Sequence, residues 1–167
     1  MGGAIDGENY IHEIRVKPTK QNLPKLICIH GFGGGGAQFF GMMPLLQNYF
    51  EVVTVDMLGM GASGRPEYNQ YDCDGAVDYF IDSIKEWFDR TKSNEEEFYL
   101  LGHSFGGYIA TAFALRYPEN LKKLILMSAV GISTVPKSFQ PETWKSELQK
   151  AGFWTGYGGD WAGDKWD

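Results

Sequence analysis

Histidine is scarce in this sequence: His12, His30 and His103 are the only three in 167 residues, and none follows position 103. Cysteine is scarcer, with Cys28 and Cys73 alone. Two cysteines do not make a disulfide framework, so a reducing compartment is the simpler expectation. No CxxC or HExxH pattern occurs, and neither a metal nor another cofactor is expected. Positive charge is also short, 15 Lys and Arg against 21 Asp and Glu, for a formal charge of −6. With no basic run, a nucleic-acid partner is not expected. No apolar run approaches the roughly 20 residues of a membrane span. The start, MGGAIDGENY, lacks the basic and apolar stretches of a signal peptide, and Asp6 stands where a myristoylation motif wants Ser or Thr. These absences lead us to expect an intracellular protein.

What is present reads as a globular α/β chain. Apolar residues make up 43% and aromatics 15%, enough for a real core. Residues 10–16 alternate as an edge strand, and 25–30 (KLICIH) form a short buried strand with Cys28 as a small hydrophobe. A helix is expected over 37–48, against the grain of Gly41 and Pro44, and a β-branched strand over 51–56. Residues 74–90 form the cleanest helix, with Val77, Phe80, Ile81, Ile84, Trp87 and Phe88 on one face. A strand over 97–101, a helix over 104–116 and a buried strand over 123–128 follow. Residues 141–150 could form a short helix, and the Gly- and Trp-rich end has no clear period. Such alternation predicts a mostly parallel sheet with helices on both faces, binding ligands at the carboxyl ends of its strands. Three glycine loops fall at those ends: after His30, after Asp56 and around Ser104.

The loop around Ser104 carries the sharpest chemistry. Gly102-His103-Ser104-Phe105-Gly106 fits G-x-S-x-G between a strand and a helix, the setting of a nucleophile elbow. There Gly102, Gly106 and Gly107 let helix and strand approach. The competing reading is a chance glycine-serine turn. His30-Gly31-Phe32-Gly33 has the form of an oxyanion loop, which would offer the backbone N–H groups of Phe32 and Phe105 to a tetrahedral intermediate. Gly31 and Gly33 to Gly36 let the backbone pass close to substrate. A flexible loop or a phosphate-binding loop of another fold is the alternative, though no G-x-x-x-x-G-K-[ST] occurs. Asp56 opens its own loop and is expected to brace it through backbone N–H groups rather than to act in catalysis.

A serine hydrolase of this pattern runs nucleophile, acid, histidine along the chain. Here no histidine follows Ser104. His103 is expected to point away from the nucleophile, His30 to be packed and hydrogen-bonded, and His12 to lie on the edge strand. Glu142, Glu147, Asp160, Asp164 and Asp167 are candidate acids without a clear strand end.

Taken together, HGFGGG (30–35), DMLGMGASGRP (56–66), YFIDSIKEW (79–87) and LLGHSFGGYIATAFALRYPENLKKLIL (100–126) resemble the α/β-hydrolase superfamily. Within it they look like the lysophospholipid hydrolase and lysophosphatidic acid acyltransferase branch, from about Lys25 to Ile132. The resemblance implies Ser104 as nucleophile, Phe32 and Phe105 as oxyanion donors, a lysophospholipid or acylglycerol ester as substrate, and no metal. The branch's H-x-x-x-x-D acyltransferase signature does not occur: Lys17, Gly35 and Tyr108 stand where its aspartate would be. The expected organisation is an N-terminal segment with an edge strand (1–24), a hydrolase core (25–132) and a partial lid or irregular aromatic tail (133–167), the fold stopping after its sixth-strand region. Two functions are weighed: the N-terminal portion of a serine acyl hydrolase, and a non-catalytic hydrolase-like subunit. A partner covering the 123–128 edge, and peripheral contact with a membrane or lipid droplet, belong to these expectations. A histidine supplied in trans is the weakest alternative, because catalytic groups need placement on rigid elements.

Overall fold

The computed structural model describes residues 3–4, 9–91 and 97–131. The expected 141–150 helix, the aromatic tail and the candidate acids lie outside the described residues. The chain divides into two units, Met1–Ile132 and Ser133–Asp167, and everything below concerns the first.

Among the described residues, seven strands and three α-helices run in the order β1 (Gly3–Ala4), β2 (Tyr10–Ile11), β3 (Glu13–Val16), β4 (Lys25–Ile29), α1 (Met43–Leu46), β5 (Glu51–Val55), α2 (Cys73–Arg90), β6 (Phe98–His103), α3 (Phe105–Arg116) and β7 (Leu121–Met127). Strands β1 and β2 form a small antiparallel pair. The main sheet has the order β3-β5-β4-β6-β7. Only β3 runs antiparallel to its neighbour; β5, β4, β6 and β7 are parallel. The architecture is therefore the expected α/β one.

Successive side chains of a strand point to opposite faces, and here both faces are covered. Ile27 and Ile29 of β4, Val53 and Val55 of β5, and Phe98 and Leu100 of β6 join Ile81, Ile84, Trp87 and Phe88 of α2 and Ile109, Ala110 and Phe113 of α3 in one core. Leu26, Cys28, Val52 and Leu101 face the other way, against Phe39 and Met43. Cys28 is fully buried, which pushes its thiol up to about 12 and leaves it a packing residue. Helix α2 starts where the Asp72 carboxylate accepts the Gly75 N–H at 2.7 Å. It is tied to α3 by Arg116, which reaches Asp78 and Asp82.

Three expected elements come out differently. Against the expectation of a buried strand over 123–128, no residue of β7 is buried, because among the described residues it is an edge strand paired with β6 alone. The 37–48 helix is a 3₁₀ turn, Gly36–Phe39, followed by the single α-turn Met43–Leu46. Pro44 sits in the first turn of α1, where its missing N–H costs nothing, so it starts a helix instead of continuing one. The 10–16 strand divides at His12, whose N–H donates to the Ser63 hydroxyl at 2.8 Å instead of joining a ladder.

Candidate active site

Strand β6 passes directly into α3 through Ser104, which holds φ 52° and ψ −119°. Positive φ is sterically costly for a residue with a Cβ, so the surroundings must impose it. They do so through the backbone. The Ser104 N–H donates to Met127 O at 3.1 Å, and its carbonyl accepts from Gly107 (2.9 Å), Val130 (3.2 Å) and Tyr108 (3.3 Å). The exit of β7 thus clamps the turn that starts α3. Among the described residues, no group is hydrogen-bonded to the Ser104 hydroxyl.

The glycines around it are set by contact. A Cβ on Gly102 would lie 2.6 Å from Gly107 Cα, one on Gly106 would run into the carbonyls of Ile29 and His30, and one on Gly107 would strike Ala129. Each would force backbone to move. Gly31 brings the loop after β4 to the same point: its Cβ would sit 3.2 Å from His103 Nδ1 and 3.3 Å from Ser104 Cβ. Gly33 takes φ 68° in open space. Phe32 and Phe105 meet edge to face, ring centroids 6.1 Å apart. Phe105 is the first residue of α3, among the N–H groups that an α-helix leaves without an internal partner.

The three histidines are engaged elsewhere. His30 is fully buried. Its Nδ1 donates to Gly31 O at 2.7 Å and its Nε2 accepts the Met57 N–H at 2.9 Å, which fixes the neutral tautomer. Burial holds its pKa below the ordinary value, against the opposing pull of the Gly31 bond and the Asp56 charge. His12 Nδ1 lies 3.0 Å from Asp56 Oδ2. His103 Nδ1 lies 3.0 Å from Gln38 Nε2.

Asp56 is a structural knot. Its carboxylate accepts the N–H of Gly36, the N–H of Ala62 at 2.8 Å and the His12 ring. Burial alone would raise its pKa, but these bonds outweigh it and hold the carboxyl below its usual range. Gly61, at φ 53°, has no room for a side chain beside that carboxylate. Sequence reasoning missed Gln38, His12 and the clamp from Met127 and Val130. Gln38 left a trace, as the one polar side chain between Ala37 and Leu46. The others left none.

A strained serine between a parallel strand and a helix, facing a glycine loop from the neighbouring strand, coincides with a family match. Residues 24–157 match the alpha/beta hydrolase fold family. The chain belongs to the alpha/beta hydrolase family. It is 40% identical over 115 residues to the Arabidopsis thaliana 1-acylglycerol-3-phosphate O-acyltransferase, covering 69% of this chain and 27% of that protein. It is 36% identical over 145 residues to the Mus musculus (lyso)-N-acylphosphatidylethanolamine lipase, covering 84% of this chain and 42% of the lipase. Among solved structures, a bacterial membrane phospholipase A superposes with a TM-score of 0.70 at 24% identity, over 89% of this chain and 50% of that one. The chain thus spans less than half the length of these curated relatives.

The Ser104 turn lies at the carboxyl ends of the parallel strands. A cleft of about 860 Å³, lined by Lys17, Lys20, Glu51, Tyr99 and Lys122, lies instead at their amino ends, away from Ser104. Among the described residues, no three His, Cys, Asp or Glu side chains are grouped to hold a metal, and no helix is long and apolar enough to cross a membrane.

Proposed function

We propose that Ser104 is the nucleophile of a serine acyl hydrolase site for lipid esters such as lysophospholipids or acylglycerols. The observation that carries this reading is the clamped positive φ of Ser104 at a strand-to-helix turn, where its hydroxyl has no partner among the described residues. In the proposed reaction Ser104 Oγ bonds to the ester carbonyl carbon and gives its proton to a base. The N–H groups of Phe32 and Phe105 take the oxyanion. The C–O bond to the leaving alcohol then breaks, that alcohol gains the proton, and an acyl-Ser104 remains. Water attacking this intermediate gives hydrolysis; an alcohol gives acyl transfer. Both outcomes share these residues, which fits relatives named as lipase and as acyltransferase.

His30 has both ring nitrogens occupied, His12 serves Asp56 and His103 meets Gln38, so none of the three is assigned as the base for Ser104. A serine without a base is a weak nucleophile near neutral pH. Added imidazole can stand in for that base. A fluorophosphonate probe is expected to label the wild type slowly and faster with imidazole, and not to label Ser104→Ala. Equal labelling of Ser104→Ala, or a folded wild type inert with imidazole present, would overturn the assignment.

A second reading is favoured by β7. Among the described residues it pairs only with β6, and its Ile125 and Leu126 are exposed. An apolar sheet edge invites a covering strand, so a binding or assembly role predicts self-association or a captured protein partner. Light scattering on the purified chain tests this, and a stable monomer counts against it.

A further inference from the structure

The segment from Gly33 to Gly36 is glycine throughout, so the loop carrying Phe32 must be anchored by side chains from outside it. His30 holds the Gly31 carbonyl and Asp56 holds the Gly36 N–H. A further anchor is Gln38, on the 3₁₀ turn that follows the loop. Its Oε1 accepts the Gly31 N–H at 3.4 Å and its Nε2 meets His103 Nδ1 at 3.0 Å.

These two contacts decide the chemistry of both partners. A backbone N–H can only donate, so the amide oxygen must face Gly31. The NH₂ then faces His103, and only an unprotonated Nδ1 can accept from it. A His103 ring that accepts this bond at Nδ1 carries its proton on Nε2. Gly31 immediately precedes Phe32, and His103 immediately precedes Ser104. One side chain thus bridges the residues just before the proposed oxyanion donor and the proposed nucleophile.

We infer that Gln38 is a positioning residue that fixes the loop of Phe32 to the Ser104 elbow by bonding Gly31 and holding His103 in its Nε2–H form. The inference rests on the roles proposed above for Phe32 and Ser104, but its first readout does not. Long-range ¹⁵N–¹H spectra of the labelled chain are expected to show His103 as the Nε2–H tautomer. Gln38→Met removes both bonds; Gly31 amide exchange should then rise about fivefold, the loss of one ordinary hydrogen bond. Gln38→Glu supplies two acceptor oxygens, so the Gly31 amide should recover protection while the His103 proton moves to Nδ1. A wild-type ring protonated on Nδ1, or a tautomer unchanged in Gln38→Glu, would overturn the inference.

The second readout is imidazole-assisted probe labelling. Gln38→Met should lower the maximal rate about fivefold, the same hydrogen bond expressed as a barrier, with the half-saturating probe concentration unchanged. Gln38→Glu should restore it. Full-rate labelling of Gln38→Met also overturns the positioning role. A folded wild type that is never labelled, yet shows the expected tautomers, defeats the proposed catalytic reading and leaves Gln38 as a tether of loop to elbow.

Discussion

Asp56 and Ser104 occupy equivalent places, each at the carboxyl end of a parallel strand and at the entrance to the connection that follows it. Their polar groups are used in opposite ways. The carboxylate of Asp56, 5% exposed, collects Gly36, Ala62 and His12. At Ser104 the bonds converge on the backbone N–H and carbonyl, and the hydroxyl has no partner among the described residues. A saturated side chain marks a residue that holds loops together. A saturated backbone beneath an open side chain marks a residue held in place to present that side chain.

The comparison breaks most visibly at Asp56. Asp56→Ala leaves the Gly36 and Ala62 N–H groups without their acceptor and should cost on the order of 3 kcal/mol. Asp56→Asn keeps one acceptor oxygen and should cost about half as much. Urea denaturation measures both, and a change below about 1 kcal/mol in Asp56→Ala would show that the knot is not a knot. Gly106→Ala comes next. Its methyl group would meet the carbonyls of Ile29 and His30, so overpacking should cost about 2 kcal/mol and displace the loop of Phe32.

This ordering also explains what the sequence made legible. The parallel sheet was readable because KLICI and EVVTV bury both faces and so need no polar alternation. The elbow was readable because its small residues and serine fall in a fixed local spacing between a strand and a helix, even though Gly106 and Gly107 are demanded by distant contacts with Ile29, His30 and Ala129. The 37–48 region was not, since its apolar residues fit a helical period while Pro44 resets the hydrogen-bond ladder. The His12–Asp56 pair spans 44 residues and the Gln38–His103 pair spans 65. No local pattern encodes which distant side chain will meet which. The backbone clamp from Met127 and Val130 is still less readable, because carbonyl and N–H groups carry no residue identity.

At the elbow the sign of the expected change reverses. Ser104→Gly relieves the cost of φ 52°, of order 1–3 kcal/mol for a residue with a Cβ, while giving back part of it as unfolded-chain entropy. Stability should rise by up to about 1 kcal/mol while probe labelling disappears. Ser104→Ala keeps the strain and should lose labelling with little change in stability. If Ser104→Gly were instead as destabilising as Gly106→Ala, the strain would not be stored where the backbone places it.

The smallest effect separates the two kinds of site by pH. His30 has a folded-state pKa below its ordinary 6.5, so the unfolded chain binds the proton first. Its contribution to stability is complete above about pH 6.5 and declines as pH falls from there toward the folded value. Asp56 also has a lowered folded-state pKa, relative to 3.8, so its contribution is complete above that value and is lost as pH falls through the folded one. Urea midpoints measured against pH should therefore show one loss beginning near 6.5 and another below about 3.8. Asp56→Asn should flatten the lower limb and, by removing the charge that pulls the His30 pKa up, extend the upper limb to lower pH, while His30→Gln should flatten only the upper. Ser104→Ala should leave both limbs where they are, because a residue held by its backbone contributes no proton to the linkage.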